Sequence, residues 1–338
     1  MIGTAKQSPE RFDGQFESAF GGSKYRYVNP ILFVKTKRRI EEAGATHLIL
    51  EHPYFGWLGM MLKKACNLKL VIHSHNIESL RFKSMHKWWW KILWHYEKIT
   101  HRAADFNFFI TDDDRNYAIK HFRLSGSRCH TITYGIEMPH APTSEDKFVA
   151  RDKIETLYNI QTDETILLFN GTLSYAPNLR ALDHILEKIN PALLETIGYK
   201  YKIIICGKGL PESYNSLSVY AQENIVYAGF VDDIRDYFFA ADIFINPVLD
   251  GGGIKTKLVE ALGYNVNGVS TRSGAIGISP AVTGDKLLVC NDGDWKAFSE
   301  AILRTDIGID TKPAFFDHFY WGHIAEKVRT ILGNRVSG

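Results

Sequence analysis

Short apolar runs alternate with amphipathic stretches along most of this chain. The segments "HLILE" (47–51), "LKLVIH" (68–73), "DFNFFIT" (105–111) and "CHTITY" (129–134) are rich in branched and aromatic residues and read as buried strands. Stretches near 57–66, 86–103 and 112–121 carry the helical period instead. "GIEMPHAPTSEDKF" (135–148) then gathers Gly, Pro, Ser and charges, and reads as a linker. Beyond it come five more strand candidates: "TILLFNG" (165–171), "YKIIICG" (201–207), "NIVYAG" (224–229), "ADIFINP" (241–247) and "KLLVC" (286–290). Helices are expected at 178–190, 254–262 and 292–304, with a last one near 318–332. Strands and helices in alternation predict an α/β chain with parallel, doubly wound sheets, divided near residue 145. Residues 1–29 are polar and irregular and receive no element.

At 338 residues the chain exceeds what one hydrophobic core usually supports, which agrees with two domains. Formal net charge is +2, so no global charge points to nucleic acid. Cys66, Cys129, Cys206 and Cys290 are scattered and form no CxxC pair, which speaks against a zinc or dithiol site and suits a reducing, cytoplasmic compartment. No apolar run reaches the length of a membrane span.

"PVLDGGGIKTKLVEALG" (247–263) departs from ordinary globular sequence. A predicted strand runs into Asp250, Gly251, Gly252 and Gly253, and a helix is expected to begin near Gly253 or Ile254. The unpaired N–H groups of a helix start carry partial positive charge, and glycines let a phosphate approach them. Lys257 lies about one turn into that helix, and Glu260 follows on the same face. A carboxylate beside a phosphate site needs another task, and accepting hydrogen bonds from a ribose diol is one. These residues point to a nucleoside diphosphate; a flexible loop, a capped helix and a surface Glu–Lys pair account for them as well.

Together with "FNGTLSYAPN" (169–178), "GFVDDIRDYFFAADIFINP" (229–247) and "STRSGAIGI" (270–278), this stretch resembles glycosyltransferase family 4. The resemblance implies a GT-B fold of two facing Rossmann-like domains. It also implies metal-free transfer of a sugar from a UDP-, GDP- or similar donor, with retention, to a glycan or polyprenyl-linked acceptor in surface polysaccharide assembly. A non-catalytic nucleotide-sugar-binding protein and a GT-B epimerase are the alternatives. The implied domains are 1–145 on the acceptor side, 146–316 for the donor, and 317–338 as a helix crossing back to the first.

Carried over by position, Glu260 matches the ribose ligand and Lys257 the lysine of a "GxGxxxK" branch. Gly171 and Thr172 match the loop nearest the diphosphate; Gly229, Phe230 and Val231 match the segment meeting the base. The family's first loop carboxylate would fall at Gly252 and is absent, with Asp250 two residues earlier. Arg180 is a weak counterpart of the arginine that many members place after the Gly171 loop. In "VIHSHNIESLRF", His75 matches the strand-end histidine facing the donor sugar, and His73 falls inside the strand. No further ligand is spaced to make a zinc site of these two. The family's first βαβ element has no visible counterpart here.

Residues 81–103, "RFKSMHKWWWKILWHYEKITHRA", hold four tryptophans and many cations. At helical spacing Met85, Trp89, Ile92, Tyr96, Ile99 and Ala103 share one face, expected to be the core side. Lys83, Lys87, Lys91, Lys98 and Arg102 lie roughly opposite, with Trp90 and Trp94 on or beside them. Exposed Trp among Lys suits an anionic membrane surface, so a cytoplasmic protein peripheral to the membrane is expected. Packing against the N-terminus and stacking on an acceptor sugar compete with that reading.

Overall fold

A computed structural model describes residues 2–3, 17–18, 27, 29–250 and 253–333. Gly251, Gly252 and most of the first 29 residues therefore lie outside the described residues. The chain divides into two compact units, Met1–Thr131 and Ile132–Gly338. That division falls ahead of the linker segment read from sequence, whose end (144–148) opens the helix Ser144–Tyr158. A Thr143/Asp146 capping box starts that helix.

In the first unit, Ile2–Gly3 (β1) and Glu17–Ser18 (β2) pair in parallel. The main sheet consists of His47–Glu51 (β3), Lys69–Ser74 (β4), Phe106–Phe109 (β5) and Cys129–Thr131 (β6), parallel and in that spatial order. The helix Ile31–Ala43 was not foreseen, because its inward residues Leu32, Thr36 and Ile40 are diluted by a charged run. Leu32 and Ile40 pack with Leu58, Leu62 and Leu68.

The tryptophan-rich segment corrects the helical-wheel expectation. It forms two helices, Glu78–Ser84 and Trp90–Ala103, and the buried residues of the second are Glu97, Thr100 and His101. Glu97 accepts the backbone N–H groups of Glu78 (2.8 Å) and Ser79 (2.9 Å), capping the preceding helix. Burial lifts its carboxyl to about 7 in spite of those bonds. His101 joins Ser74 and Asn107 by hydrogen bonds of 3.1 and 2.8 Å. Glu97 and His101 can occupy the inner face because each finds partners there. Met85, Ile92 and Ile99, expected inside, are exposed, and Trp88 is 83% exposed.

The second unit carries a six-stranded parallel sheet. Its strands are Thr165–Asn170 (β7), Tyr201–Cys206 (β8), Ile225–Gly229 (β9), Ile243–Asn246 (β10), Asn267–Thr271 (β11) and Leu287–Cys290 (β12). Their spatial order is β12-β11-β10-β7-β8-β9. Side chains alternate between two cores. Leu168, Ile204 and Phe244 pack with Leu258, Leu262 and Phe315 on one face, and Leu167, Ile203 and Ile245 pack with Leu182, Ile185 and Phe298 on the other. Strand β11 was missed because "NGVST" looks like a turn. Two of its polar side chains find partners on or just beyond β10: Asn246 donates to Ser270 at 2.9 Å, and Thr271 donates to the Val248 carbonyl at 2.5 Å. The last predicted helix is two helices, Pro313–Phe319 and Trp321–Gly333. They break at Tyr320, where Ile136 donates to the Phe319 carbonyl (2.7 Å) and accepts from Trp321 (2.9 Å).

Candidate active site

Strand order in the second unit reverses between β7 and β10. From β7 the chain moves outward through β8 and β9, then returns to place β10 on the other side of β7. A parallel sheet opens a crevice at such a point, beyond the C-terminal strand ends. The loops that flank it here are those after β7 and after β10.

The loop after β7 holds Gly171 and Thr172. Thr172 is exposed, and its carbonyl accepts from the Asn178 side chain at 3.0 Å. Neighbouring loops press closely together, since a Cβ on Gly207 would stand 1.9 Å from the Gly171 carbonyl oxygen. After β9, Gly229 precedes Phe230, which projects into solvent with the Lys208 ammonium 6.0 Å from its ring centre. Val231 packs instead against the core.

After β10, Pro247–Asp250 leads to Gly251 and Gly252, which lie outside the described residues, and then to Gly253. Gly253 has a positive φ of 73°, a conformation that side-chain-bearing residues rarely adopt. The helix runs Thr256–Gly263, two or three residues later than expected, so Ile254 belongs to the loop. Lys255 stands at its N-cap, and its ammonium donates to the Gly253 carbonyl at 3.1 Å. Burial pushes that ammonium down to about 8, with Asp250 opposing the shift.

Lys257 donates to Glu260 Oε2 at 2.8 Å, and Tyr134 donates its hydroxyl to Oε1 at 2.9 Å. Burial, with the Glu260 charge beside it, raises the Tyr134 hydroxyl well above its ordinary range. Across the switch point, Arg180 forms a two-nitrogen contact with Asp250, at 2.9 Å from Nε and 2.7 Å from Nη2. Both partners are about half exposed, so the pair contributes little to stability and is open to exchange. Lys255 and Tyr134 escaped the sequence reading. The KTK triplet (255–257) hinted at the first, but Tyr134 lies 126 residues from Glu260 and spacing cannot reveal it.

In the first unit, His75 follows β4 and its Nε2 lies 2.8 Å from Glu51 Oε2. His73, inside β4, brings Nδ1 to 3.0 Å from the same oxygen. Burial would raise the Glu51 carboxyl, but the two imidazoles bonded to it carry it down to about 2. The structure thus adds a third group to the two histidines, from a neighbouring strand. In the tryptophan segment, Trp90 is half-buried with Lys83 and Lys91 ammoniums 5.0 and 5.8 Å from its ring centre. Trp94 packs on Phe122 and donates to the Tyr117 hydroxyl at 3.1 Å. Lys87 is exposed beside them.

Comparison with known proteins identifies the family and the fold. Residues 164–305 match the family described as "Glycosyl transferases group 1", and residues 5–138 match "Glycosyltransferase Family 4". An uncharacterized 44.6 kDa protein in the cps region of Klebsiella pneumoniae is 28% identical over 50% of this chain and 43% of its own length. The Bacillus subtilis protein named "Putative teichuronic acid biosynthesis glycosyltransferase TuaC" is 24% identical over 59% of this chain and 46% of its own. The matched region thus spans less than half the length of these curated relatives. The structure of Anabaena HepE in complex with UDP superposes with a TM-score of 0.69 at 14% identity, covering 94% of this chain and 86% of that one. At that identity the likeness speaks for the fold, which is GT-B. With both units matched, the chain belongs to the glycosyltransferases of the group 1 and family 4 type.

Proposed function

We propose that the protein is a retaining glycosyltransferase that moves a sugar from a nucleoside diphosphate donor to a glycan or lipid-linked acceptor in polysaccharide assembly. The observation that carries this reading is the strand–glycine loop–helix of residues 243–263 at the sheet's switch point, with Lys257, the second residue of the helix, paired to Glu260. HepE, similar in fold, is solved with UDP and with UDP-glucose, which supports a nucleotide-sugar donor here.

The diphosphate sits against the loop N–H groups and the start of the helix Thr256–Gly263. Lys257 turns from Glu260 to the phosphates, Arg180 exchanges Asp250 for them, and Glu260 accepts the ribose hydroxyls. As the sugar–oxygen bond breaks, negative charge grows on the leaving phosphate where these groups already stand. Removing one such preorganised group costs about 3 kcal/mol of transition-state stabilisation. The acceptor attacks from the leaving-group side and passes its proton to a phosphate oxygen, so no protein base is needed. His75 is assigned a role toward the donor sugar by its match to the family's strand-end histidine. The amides and cations supply the charge stabilisation that a metal provides elsewhere, and the step needs none.

The exposed face of the tryptophan segment, with Trp88 and Ile92 among Lys87 and Lys91, holds the protein on an anionic membrane. No described helix is long and apolar enough to cross one. The test of the transferase reading is a screen of nucleotide sugars for release of the nucleoside diphosphate. Slow hydrolysis of one donor, faster with acceptor glycan, supports it; tight binding without any turnover points to a binding module instead.

A further inference from the structure

We propose that Glu51, His73 and His75 form a binding site for a zinc-class divalent cation in the first unit. Glu51 ends β3 and is the register partner of His73 on β4. His75 follows two residues on, so by the alternation of strand side chains it projects to the same side as His73. One ligand atom from each residue lies within 4.8 Å of the others, with Glu51 Oε2 at 3.0 Å from His73 Nδ1 and 2.8 Å from His75 Nε2.

Two imidazole nitrogens and one carboxylate oxygen are a donor set that zinc uses where it keeps a fourth position open. Zinc–ligand bonds of about 2.0–2.2 Å put tetrahedral ligand atoms roughly 3.4 Å apart. The ion therefore enters by replacing the shared protons, with Glu51 Oε2 standing off each imidazole nitrogen by about half an ångström more. Magnesium prefers oxygen ligands and holds its water, and this nitrogen-rich set does not suit it. The His75 and Glu51 side chains are each about half exposed, so a cation has access.

The site lacks one support. Among the described residues, the buried Nε2 of His73 has no hydrogen-bond partner. Missing such an outer bond typically weakens a metal site by roughly 10- to 100-fold. The site is accordingly weaker than a structural zinc site whose ligands are all held by outer hydrogen bonds. If His75 serves the donor sugar, as proposed above, bound zinc occupies its ring nitrogen and inhibits transfer.

The experiment is calorimetric titration of zinc chloride alone into the full chain, with magnesium chloride as control. Parent, Glu51→Gln and His75→Gln are compared, and melting curves are recorded without zinc. The expected result is one zinc per chain in the parent, weakened at least about tenfold in either variant, and no magnesium binding. No zinc binding by the parent, or equal binding by a folded variant, overturns the proposal. His75 is at the surface and its substitution decides the matter if Glu51→Gln fails to fold. The titration contains no donor, so it stands apart from the catalytic reading; zinc binding with undiminished transfer upholds the site and rejects the role of His75.

Discussion

Lys257 and Glu260 form an ion pair at 2.8 Å, three residues apart on one helix. Tyr134 takes the other Glu260 oxygen, so in the free protein both oxygens are engaged. In the proposed donor complex, Lys257 exchanges this bond for one to phosphate, and Glu260 Oε2 opens to the ribose. The two residues therefore act as a unit and not as independent contacts.

Glu260→Gln should weaken binding of every nucleotide donor without weakening inorganic diphosphate binding, since the ribose contact is lost while Lys257 is released from its ion pair. Competition titrations with both ligands check this. Equal weakening of the two would mark Glu260 as a helix residue with a purely structural task.

The Lys255 ammonium is held down to about 8 by burial at the mouth of the glycine loop. A bound diphosphate favours the charged form, so the bound chain holds that proton to higher pH than the free chain. Linkage then requires nucleoside diphosphate binding to weaken as pH rises through about 8. Isothermal titrations at a series of pH values should show this slope in the parent and lose it in Lys255→Met.

Gly207→Ala should destabilise the second unit by about 1–3 kcal/mol, because the new methyl meets the Gly171 carbonyl and the two loops must part. Its Cβ would stand 1.9 Å from that oxygen. Denaturant unfolding measures the loss, and donor binding should fall with it, since Gly171 borders the switch point.

Trp88 and Ile92 are exposed, and Trp94 is fixed to Phe122 and Tyr117. Replacing Trp88 and Ile92 with Ala should therefore release the protein from anionic vesicles with little change in melting temperature. Trp94→Ala should lower the melting temperature and leave vesicle binding in place. Co-sedimentation at low and high salt separates the two, and a parent that never sediments removes the membrane role.

Much of the second unit was legible because strands buried on both faces read as continuous apolar runs, as "TILLFNG" and "YKIIICG" do. Strand β11 was not, since its Ser270 and Thr271 are satisfied by partners on β10 and beyond it that no local window contains. The same cause inverted the wheel of the helix Trp90–Ala103: apolar spacing marks an inner face only where the inner face is apolar, and Glu97 and His101 made it polar. In the candidate site, residues close in sequence were found together, as with Lys257 and Glu260. Contacts that depend on the fold, Tyr134 to Glu260 and Glu51 to His75, emerge only in the folded chain.

The central claim is that the glycine loop and the helix behind it bind a nucleoside diphosphate through Lys257. Calorimetric titration of UDP and GDP into the parent and into Lys257→Ala tests it most directly. Saturable one-to-one binding of at least one of them to the parent is predicted. The variant should lose at least about tenfold in affinity, in line with a charge-assisted phosphate contact, at an unchanged melting temperature. A folded Lys257→Ala chain that binds the nucleotide as tightly as the parent would contradict it.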